Sequence, residues 1–116
     1  MASDDGVVYE LRTYHAYPEK FDELLARFRD HTMRIFEKHG IKSIAYWTAT
    51  DEPLEGKTLI YILEHRSRDA AKRSWENMGA DPEWQAVKAE TEANGKLFEK
   101  IDSTYMKKTD FSPTLF

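Results

Sequence analysis

The segment 58–65, "TLIYILEH", is apolar on both sides of an extended chain. Side chains alternate between the two faces of a β-strand, so one face carries Leu59, Tyr61 and Leu63 while the other carries two isoleucines. This double pattern is typical of a strand in a sheet that is covered on both sides. The chain must therefore fold so that this strand has one packed layer above it and another below it.

Three other segments have the composition of strands, because β-branched and aromatic residues are frequent in them. They are "VVYELRTY" at 7–14, "IKSIAYWTAT" at 41–50 and "KLFEKIDSTYMKKT" at 96–109. The polar loop "DEPLEGK" separates the second of the four predicted strands from the third, and this arrangement predicts a hairpin.

A first helix is predicted between the first two strands. Pro18 suits the opening turn of a helix, where its missing N–H has no intrahelical partner. Apolar residues then recur at helical spacing from Phe21 to Phe36, and Gly40 is typical of a helix end. Arg27 lies outside this apolar stripe, so the pattern places it on the polar side of the helix.

A second helical region follows the third strand. Ser67 can cap its beginning, and Gly79 can end it. Asp81 and Pro82 then have the residue types of a new N-cap and first turn, so the region is predicted to break and restart. Trp75 and Trp84 are at core spacing, which indicates packing against the sheet.

The predicted order β-α-β-β-α-β points to an α+β fold of the ferredoxin-like type over a single domain, 1–116. Right-handed crossovers give a four-stranded antiparallel sheet with both helices on one face and the first and third strands in its centre. The other face then needs a cover, and a second copy of the chain supplies one through a two-fold contact between identical surfaces. We therefore expect a homodimer with the open sheet faces in contact.

Composition excludes several classes of function. A formal net charge of -4 gives no reason to expect nucleic-acid binding, and the absence of cysteine removes thiolate chemistry and fits a reducing compartment. His31 and His39 are too far apart on one helix to bind a metal ion together, and we predict neither metal nor cofactor. The sequence shows no signal segment and no apolar run of about 20 residues, so we expect a cytoplasmic protein without a membrane partner.

Glu10 and Arg12 are the most informative charged residues, because they share one face of the first strand. If Tyr9 and Leu11 are assumed to face the helices, then Glu10, Arg12 and Tyr14 are predicted to face the barrel interior, at the centre of the sheet. A buried ion pair costs several kcal/mol per ion in desolvation and must be paired and hydrogen-bonded. Two interpretations remain open: a structural ion pair, or a ligand pocket in which Arg12 binds a carboxylate or enolate oxygen and Glu10 acts as base or orienter.

His65 and Trp47 complete the set of candidate pocket residues. His65 lies on the same face of its strand as Tyr61, but alternation does not decide which face of that strand points inward. A histidine at this position can move a proton near neutral pH, or it can be a partly solvated structural residue. Trp47 and Tyr46 point to opposite faces, so one of them lines the interior or the dimer contact.

Five pieces of the sequence resemble the NIPSNAP family, which belongs to the dimeric α+β barrel superfamily. They are "YELRTY", "GIKSIAYW", "LIYILEHRS", "SWENMGADPEW" and "TDFSP", in the family's order, and they extend roughly over 7–113. The resemblance implies a pair of ferredoxin-like sheets that form a barrel. It implies no reaction, because related barrels include monooxygenases and other small-ligand enzymes while animal members are described in trafficking.

Two functional hypotheses follow. The first is a homodimeric domain that binds a small molecule, or acts on it without a cofactor, in a pocket between sheet and helices lined by Glu10, Arg12, Tyr14, Trp47 and His65. The second is a protein-interaction module without catalysis, in which the buried charges are structural. Neither hypothesis identifies the ligand or decides whether the protein is an enzyme.

Overall fold

The alternating segments of the sequence form one antiparallel sheet in the computed structural model, which describes residues 6–113. A short 3-10 turn precedes the first helix, and a π-helical turn separates its two α-helical parts. The elements are β1 (Val8–Ala16), the 3-10 turn (Pro18–Lys20), α1 (Phe21–Arg27), the π-helical turn (Phe28–Thr32), α2 (Met33–Lys38), β2 (Lys42–Thr48), β3 (Thr58–His65), α3 (Arg68–Gly79), α4 (Pro82–Thr91) and β4 (Phe98–Met106).

The four strands lie in the order β2-β3-β1-β4, and every neighbouring pair is antiparallel. This is the ferredoxin-like arrangement, and the prediction that the first and third strands are central is confirmed. Arg12 of β1 lies opposite Tyr61 of β3 and opposite Ser103 of β4. The register therefore aligns the middle of β1 with side chains from both of its neighbours.

The helix boundaries follow the signals in the sequence. The Ser67 hydroxyl accepts a hydrogen bond from the backbone N–H of Ala70 at 2.9 Å, and the Asp81 carboxylate accepts one from the N–H of Glu83 at 2.8 Å. Both residues are therefore the N-caps that the sequence predicts. Gly40 has a φ of 74°, a conformation that is inexpensive only for glycine, and it follows the end of α2.

The faces of β1 are the reverse of the prediction. Glu10, Arg12 and Tyr14 point toward the helices, where Glu10 contacts Trp75 of α3, whereas Leu11 lies on the open side of the sheet. The prediction was wrong because both sets of β1 contain large apolar residues, and alternation separates the two sets without identifying the side that the helices occupy. The charged pair is consequently buried within a single chain.

The core between sheet and helices is rich in aromatic rings. Tyr61, at 0% exposure, stacks on Tyr46 with ring centroids 5.0 Å apart and meets Phe28 at 5.3 Å. Tyr14 packs edge to face against Phe28 at 5.2 Å. Full burial of one such side chain stabilises the fold by roughly 2 to 3 kcal/mol, so this cluster holds the helices firmly on the sheet.

The opposite face of the sheet has no covering layer among residues 6–113. Leu11, Ile60 and Ile62 lie there and are only half-buried, and Trp47, opposite Ile60 in the register, is 44% exposed. The third strand is thus apolar on both faces, as its sequence indicates, but its second face is open in the described part of the chain. None of the helices described here is long and apolar enough to cross a membrane.

Candidate functional site

The carboxylate of Glu10 is the centre of a buried polar cluster behind β1. Its Oε1 accepts hydrogen bonds from His65 Nε2 at 2.8 Å and from Trp75 Nε1 at 2.9 Å. Its Oε2 accepts from Ser103 Oγ at 2.7 Å and from Arg12 Nη1 at 3.0 Å. Four donors, from strands β1, β3 and β4 and from helix α3, therefore surround a side chain that is 1% exposed. This is the pairing that a buried carboxylate requires.

The cluster keeps Glu10 ionised. Burial alone would raise the pKa of this carboxyl, but the hydrogen bonds from His65 and Ser103 and the charge of Arg12 outweigh burial and lower the pKa to about 2. A carboxylate with so low a pKa and four donors around it is a poor general base. The geometry therefore fits the role of orienting its neighbours. It does not fit the role of general base.

Arg12 is oriented by contacts on two sides. Its Nε donates to the hydroxyl of Tyr61 at 2.8 Å and its Nη1 to Glu10, while its Cζ lies 4.3 Å from the centre of the Trp75 ring. Burial raises the pKa of Tyr61 well above its ordinary value, so this hydroxyl remains neutral. The second terminal nitrogen, Nη2, donates to no atom of residues 6–113. Arg12 therefore keeps two N–H donors for another partner.

His65 lies beside Glu10 on the helix side of the sheet, which answers the question that alternation left open. It is 2% exposed, and its ring centre is 6.3 Å from that of Trp75 and 6.1 Å from that of Tyr105. Because its Nε2 donates to the ionised Glu10, the carboxylate fixes the orientation of the ring. The structure thus brings Glu10, Arg12 and His65 together.

A cleft of about 200 Å³ opens in front of Arg12, between the sheet and helices α3 and α4. Its walls are mainly aromatic, and its charged side chains are basic. The lining residues are Arg12, Tyr14, Arg27, Thr32, Phe36, Trp75, Met78, Gly79, Trp84, Lys88, Phe98 and Ile101. This cleft is the candidate functional site, since it combines apolar walls with an oriented, partly accessible cation.

Trp47, which the sequence predicts to be a pocket residue, is not among the residues that line this cleft. It pairs with Ile60 on β3, on the open side of the sheet, and contributes to a shallow groove at the edge strand together with Tyr46 and Met33. The prediction placed it in the pocket because one of Tyr46 and Trp47 had to point inward. The structure gives the inward position to Tyr46, which stacks on Tyr61.

Arg27 is the cleft residue that sequence reasoning missed. Its side chain is 1% exposed, its Nη1 donates to Glu92 at 2.8 Å and to Thr91 at 3.2 Å, and its Cζ lies 5.2 Å from the Trp84 ring centre. Helical periodicity placed it on the polar side because arginine was counted as polar. The signal that could have found it is its position three residues after Leu24, which is fully buried on the same helix.

A groove with a greater volume than the cleft lacks such chemistry. The groove of about 550 Å³ between α2 and β2 is lined by Met33, Arg34, Glu37 and Lys42, all exposed, and by no buried polar side chain of the described chain. Residues 6–113 also contain no group of three or more histidine, aspartate or glutamate side chains that could hold a metal ion. The Arg12 cleft is therefore the best defined site in this part of the protein.

Solved structures with the same fold include several of undefined function. The chain aligns with a NIPSNAP-like protein from Burkholderia xenovorans at 20% identity, with a TM-score of 0.79 over 95% of this chain and 91% of the other. A NIPSNAP family protein of unknown function from Agrobacterium tumefaciens aligns at 23% identity and a TM-score of 0.79, over 96% and 95% of the two chains. At these identities the likeness establishes the fold.

A more distant likeness connects the fold to oxygenases. The cofactor-independent oxygenase SnoaB from Streptomyces nogalater aligns at 14% identity and a TM-score of 0.57, over 94% of this chain and 99% of the other. No curated protein sequence matches the chain. The sequence profile of the NIPSNAP family, in contrast, matches residues 9–113. This chain therefore belongs to the NIPSNAP family.

Proposed function

We propose that the protein binds a small organic molecule in the cleft between the sheet and helices α3 and α4. One observation carries the proposal: Glu10 and Tyr61 fix the Arg12 guanidinium at the cleft, while its Nη2 donates to no atom of residues 6–113. An orientation fixed in advance lowers the entropy that a ligand loses on binding. A purely structural ion pair would need no open cleft in front of the arginine.

The proposal extends to catalysis without a cofactor. Support for it comes from the fold shared with SnoaB, a cofactor-independent oxygenase, and this is support by analogy of fold. In such a reaction Arg12 would stabilise negative charge that develops on a substrate oxygen, and Glu10 would hold Arg12 in place. Glu10 itself would not remove a proton, because it is already engaged by four donors.

Native mass spectrometry of freshly purified protein tests the proposal directly, because a molecule retained in the cleft adds a defined mass. The same preparation is then screened by thermal shift against a library of small metabolites. We expect at least one compound to stabilise the wild type, and the Arg12→Lys variant to lose that stabilisation. The matched control is Arg73→Lys on the exposed side of α3, which should keep it.

The alternative hypothesis, an interaction module without a ligand, makes the opposite prediction. No retained molecule and no stabilising compound, with a folded protein, would contradict ligand binding and favour the module. A ligand whose stabilisation is equal in wild type and Arg12→Lys would contradict the role of Arg12. These outcomes are distinguishable, because lysine keeps the positive charge beside Glu10 but lacks the planar guanidinium group of arginine and its parallel N–H donors.

The proposal includes a homodimer formed through the open sheet face and a cytoplasmic location. The half-buried Leu11, Ile60 and Ile62 and the exposed Trp47 support the dimer, because a two-fold contact of this face with itself would remove them from water. The absence of cysteine from the sequence fits a reducing compartment. The cleft lies on the other side of the sheet, so each protomer of such a dimer would keep its own site.

A further inference from the structure

The charges that line the cleft are all of one sign, although the protein as a whole is acidic. The formal net charge of the chain is -4, yet the charged residues of the lining are Arg12, Arg27 and Lys88, and no aspartate or glutamate of the described chain is among them. Lys88 is exposed, whereas both arginines are largely buried. Glu10 pairs with Arg12 and Glu92 pairs with Arg27 from outside the lining. The preference for a negatively charged occupant therefore comes from Lys88 and from the guanidinium donors that these carboxylates leave unused.

Arg27 has a donor that the protein leaves without an acceptor. Its side chain is 1% exposed, and its Nε is buried with no hydrogen-bond partner among residues 6–113. Its Nη1 is engaged by Thr91 and Glu92 of the α4 region. Buried N–H groups are almost always paired, so an acceptor at this position would have to come from outside the described chain. In the same cleft, the Nη2 of Arg12 has N–H donors that no atom of residues 6–113 accepts.

Aromatic rings lie beside both guanidinium groups. Trp75 lies under Arg12, Trp84 lies near Arg27, and the rings of Tyr14 and Phe98 meet edge to face at 4.8 Å. Aromatic walls favour a flat, apolar ligand body, which can stack on the rings or meet their edges. A volume of about 200 Å³ holds about seven water molecules at liquid density, which is the size of one substituted ring.

We propose that the ligand is a flat organic carboxylate of about one ring, whose charged group is bound by Arg12 and Arg27 and whose ring lies among the aromatic walls. The inference rests on the proposed function and makes it more specific. Planar guanidinium groups match the geometry of a carboxylate, to which they donate parallel N–H···O bonds. An acceptor oxygen near Arg27 would also pair the donor that is otherwise unpaired.

Benzoate, benzamide and benzylamine are suitable probes, because they have nearly the same size and differ in charge. Binding can be followed by tryptophan emission, since Trp75 and Trp84 line the cleft. The third tryptophan, Trp47, lies on the open side of the sheet, so the Trp47→Phe variant removes its background signal. We expect saturable quenching by benzoate, and binding of benzamide and benzylamine that is at least about tenfold weaker.

Arg12→Lys and Arg27→Lys, each in the Trp47→Phe background, test the two arginines. Each variant keeps a positive charge beside its carboxylate partner and loses the planar fork, so each should bind benzoate at least about tenfold more weakly. Arg73→Lys is the matched control on the exposed side of α3 and should leave benzoate affinity unchanged. Far-ultraviolet circular dichroism verifies that every variant is folded.

Two results would overturn the inference, and the first of them would leave the proposed function standing. One is benzamide or benzylamine binding as tightly as benzoate, and the other is unchanged benzoate affinity in both arginine variants. If benzoate does not bind to the folded wild type, the carboxylate class is wrong, and the library screen and native mass spectrum decide separately about ligand binding. The comparison of the three probes on the wild type remains decisive even if a variant fails to fold.

Discussion

At the scale of single residues, the decisive feature is a carboxylate that is ionised and almost fully buried. Glu10 tolerates this position because His65, Trp75, Ser103 and Arg12 each donate one hydrogen bond to it. Removing one donor from such a cluster costs more than an average hydrogen bond, because the charge stays buried. The cluster is therefore expected to be sensitive to small changes in its neighbours.

Trp75→Phe tests this sensitivity. The change removes the indole N–H that donates to Glu10 at 2.9 Å, and we expect the free energy of unfolding to fall by about 1 to 3 kcal/mol. Urea denaturation followed by circular dichroism measures it. Trp84→Phe is the matched control, because it removes a similar ring volume but no donor to Glu10. Equal losses in the two variants would contradict the importance of the indole hydrogen bond.

The pH dependence of stability should report Glu10. Its folded pKa is about 2, below the ordinary value of 4.5, so ionisation of Glu10 stabilises the folded state above pH 4.5 and this contribution is lost as the pH falls toward 2. The contribution is on the order of 3 kcal/mol. We expect Glu10→Gln to be less stable than wild type at pH 7, with a difference that shrinks between pH 4.5 and 2 in urea titrations. A difference independent of pH would be inconsistent with a depressed pKa.

At the scale of elements, the first helix contains a π-helical turn directly after Arg27. The turn covers Phe28–Thr32, and the Thr32 hydroxyl donates to the backbone carbonyl of Arg27 at 3.3 Å. π-helical turns inside α-helices are frequent at functional sites. Here the turn adjoins Arg27, and both Arg27 and Thr32 line the cleft. Helical periodicity in the sequence could not show this turn, because the apolar spacing fits a regular α-helix.

The two predicted N-caps should differ in their contribution to stability. Ser67 makes one capping hydrogen bond, and Ser67→Ala should cost about 1 kcal/mol in the free energy of unfolding. Asp81 caps α4 and also contacts Lys38 at 2.8 Å and His39 at 2.7 Å, so it ties α4 to the end of α2. Asp81→Ala should therefore destabilise more than Ser67→Ala. Urea denaturation of both variants measures the difference, and the reverse order would show that the contacts to α2 contribute little.

At the scale of the whole molecule, the two faces of the sheet carry different kinds of side chains. The helix side holds the cleft and the polar cluster, and the open side holds half-buried apolar residues that include Ile60 and Ile62. A chain of this size that binds its own copy through the open side could keep the cleft accessible. Assembly and ligand binding would then use opposite surfaces of one thin sheet.

Ile62→Glu tests the proposed dimer at this scale. We expect the wild type to sediment as a species of about twice 13.6 kDa, and the variant to sediment as a monomer because each copy would bury an unpaired carboxylate in the contact. The control is Arg73→Glu on the exposed side of α3, which should stay dimeric. A wild type that sediments as a monomer at micromolar concentration would rule out the dimer.

The sequence by itself determined the order of the elements, the caps and the ferredoxin-like topology, because these depend on local residue types and on periodicity. It also singled out Glu10 and Arg12, since two charges on one face of an otherwise apolar strand need partners. Only the tertiary structure decided which face of β1 meets the helices, which donors surround Glu10, and that Arg27 belongs to the cleft while Trp47 does not. The physical reason is that alternation assigns side chains to faces, whereas the packing of distant segments decides which face becomes the interior.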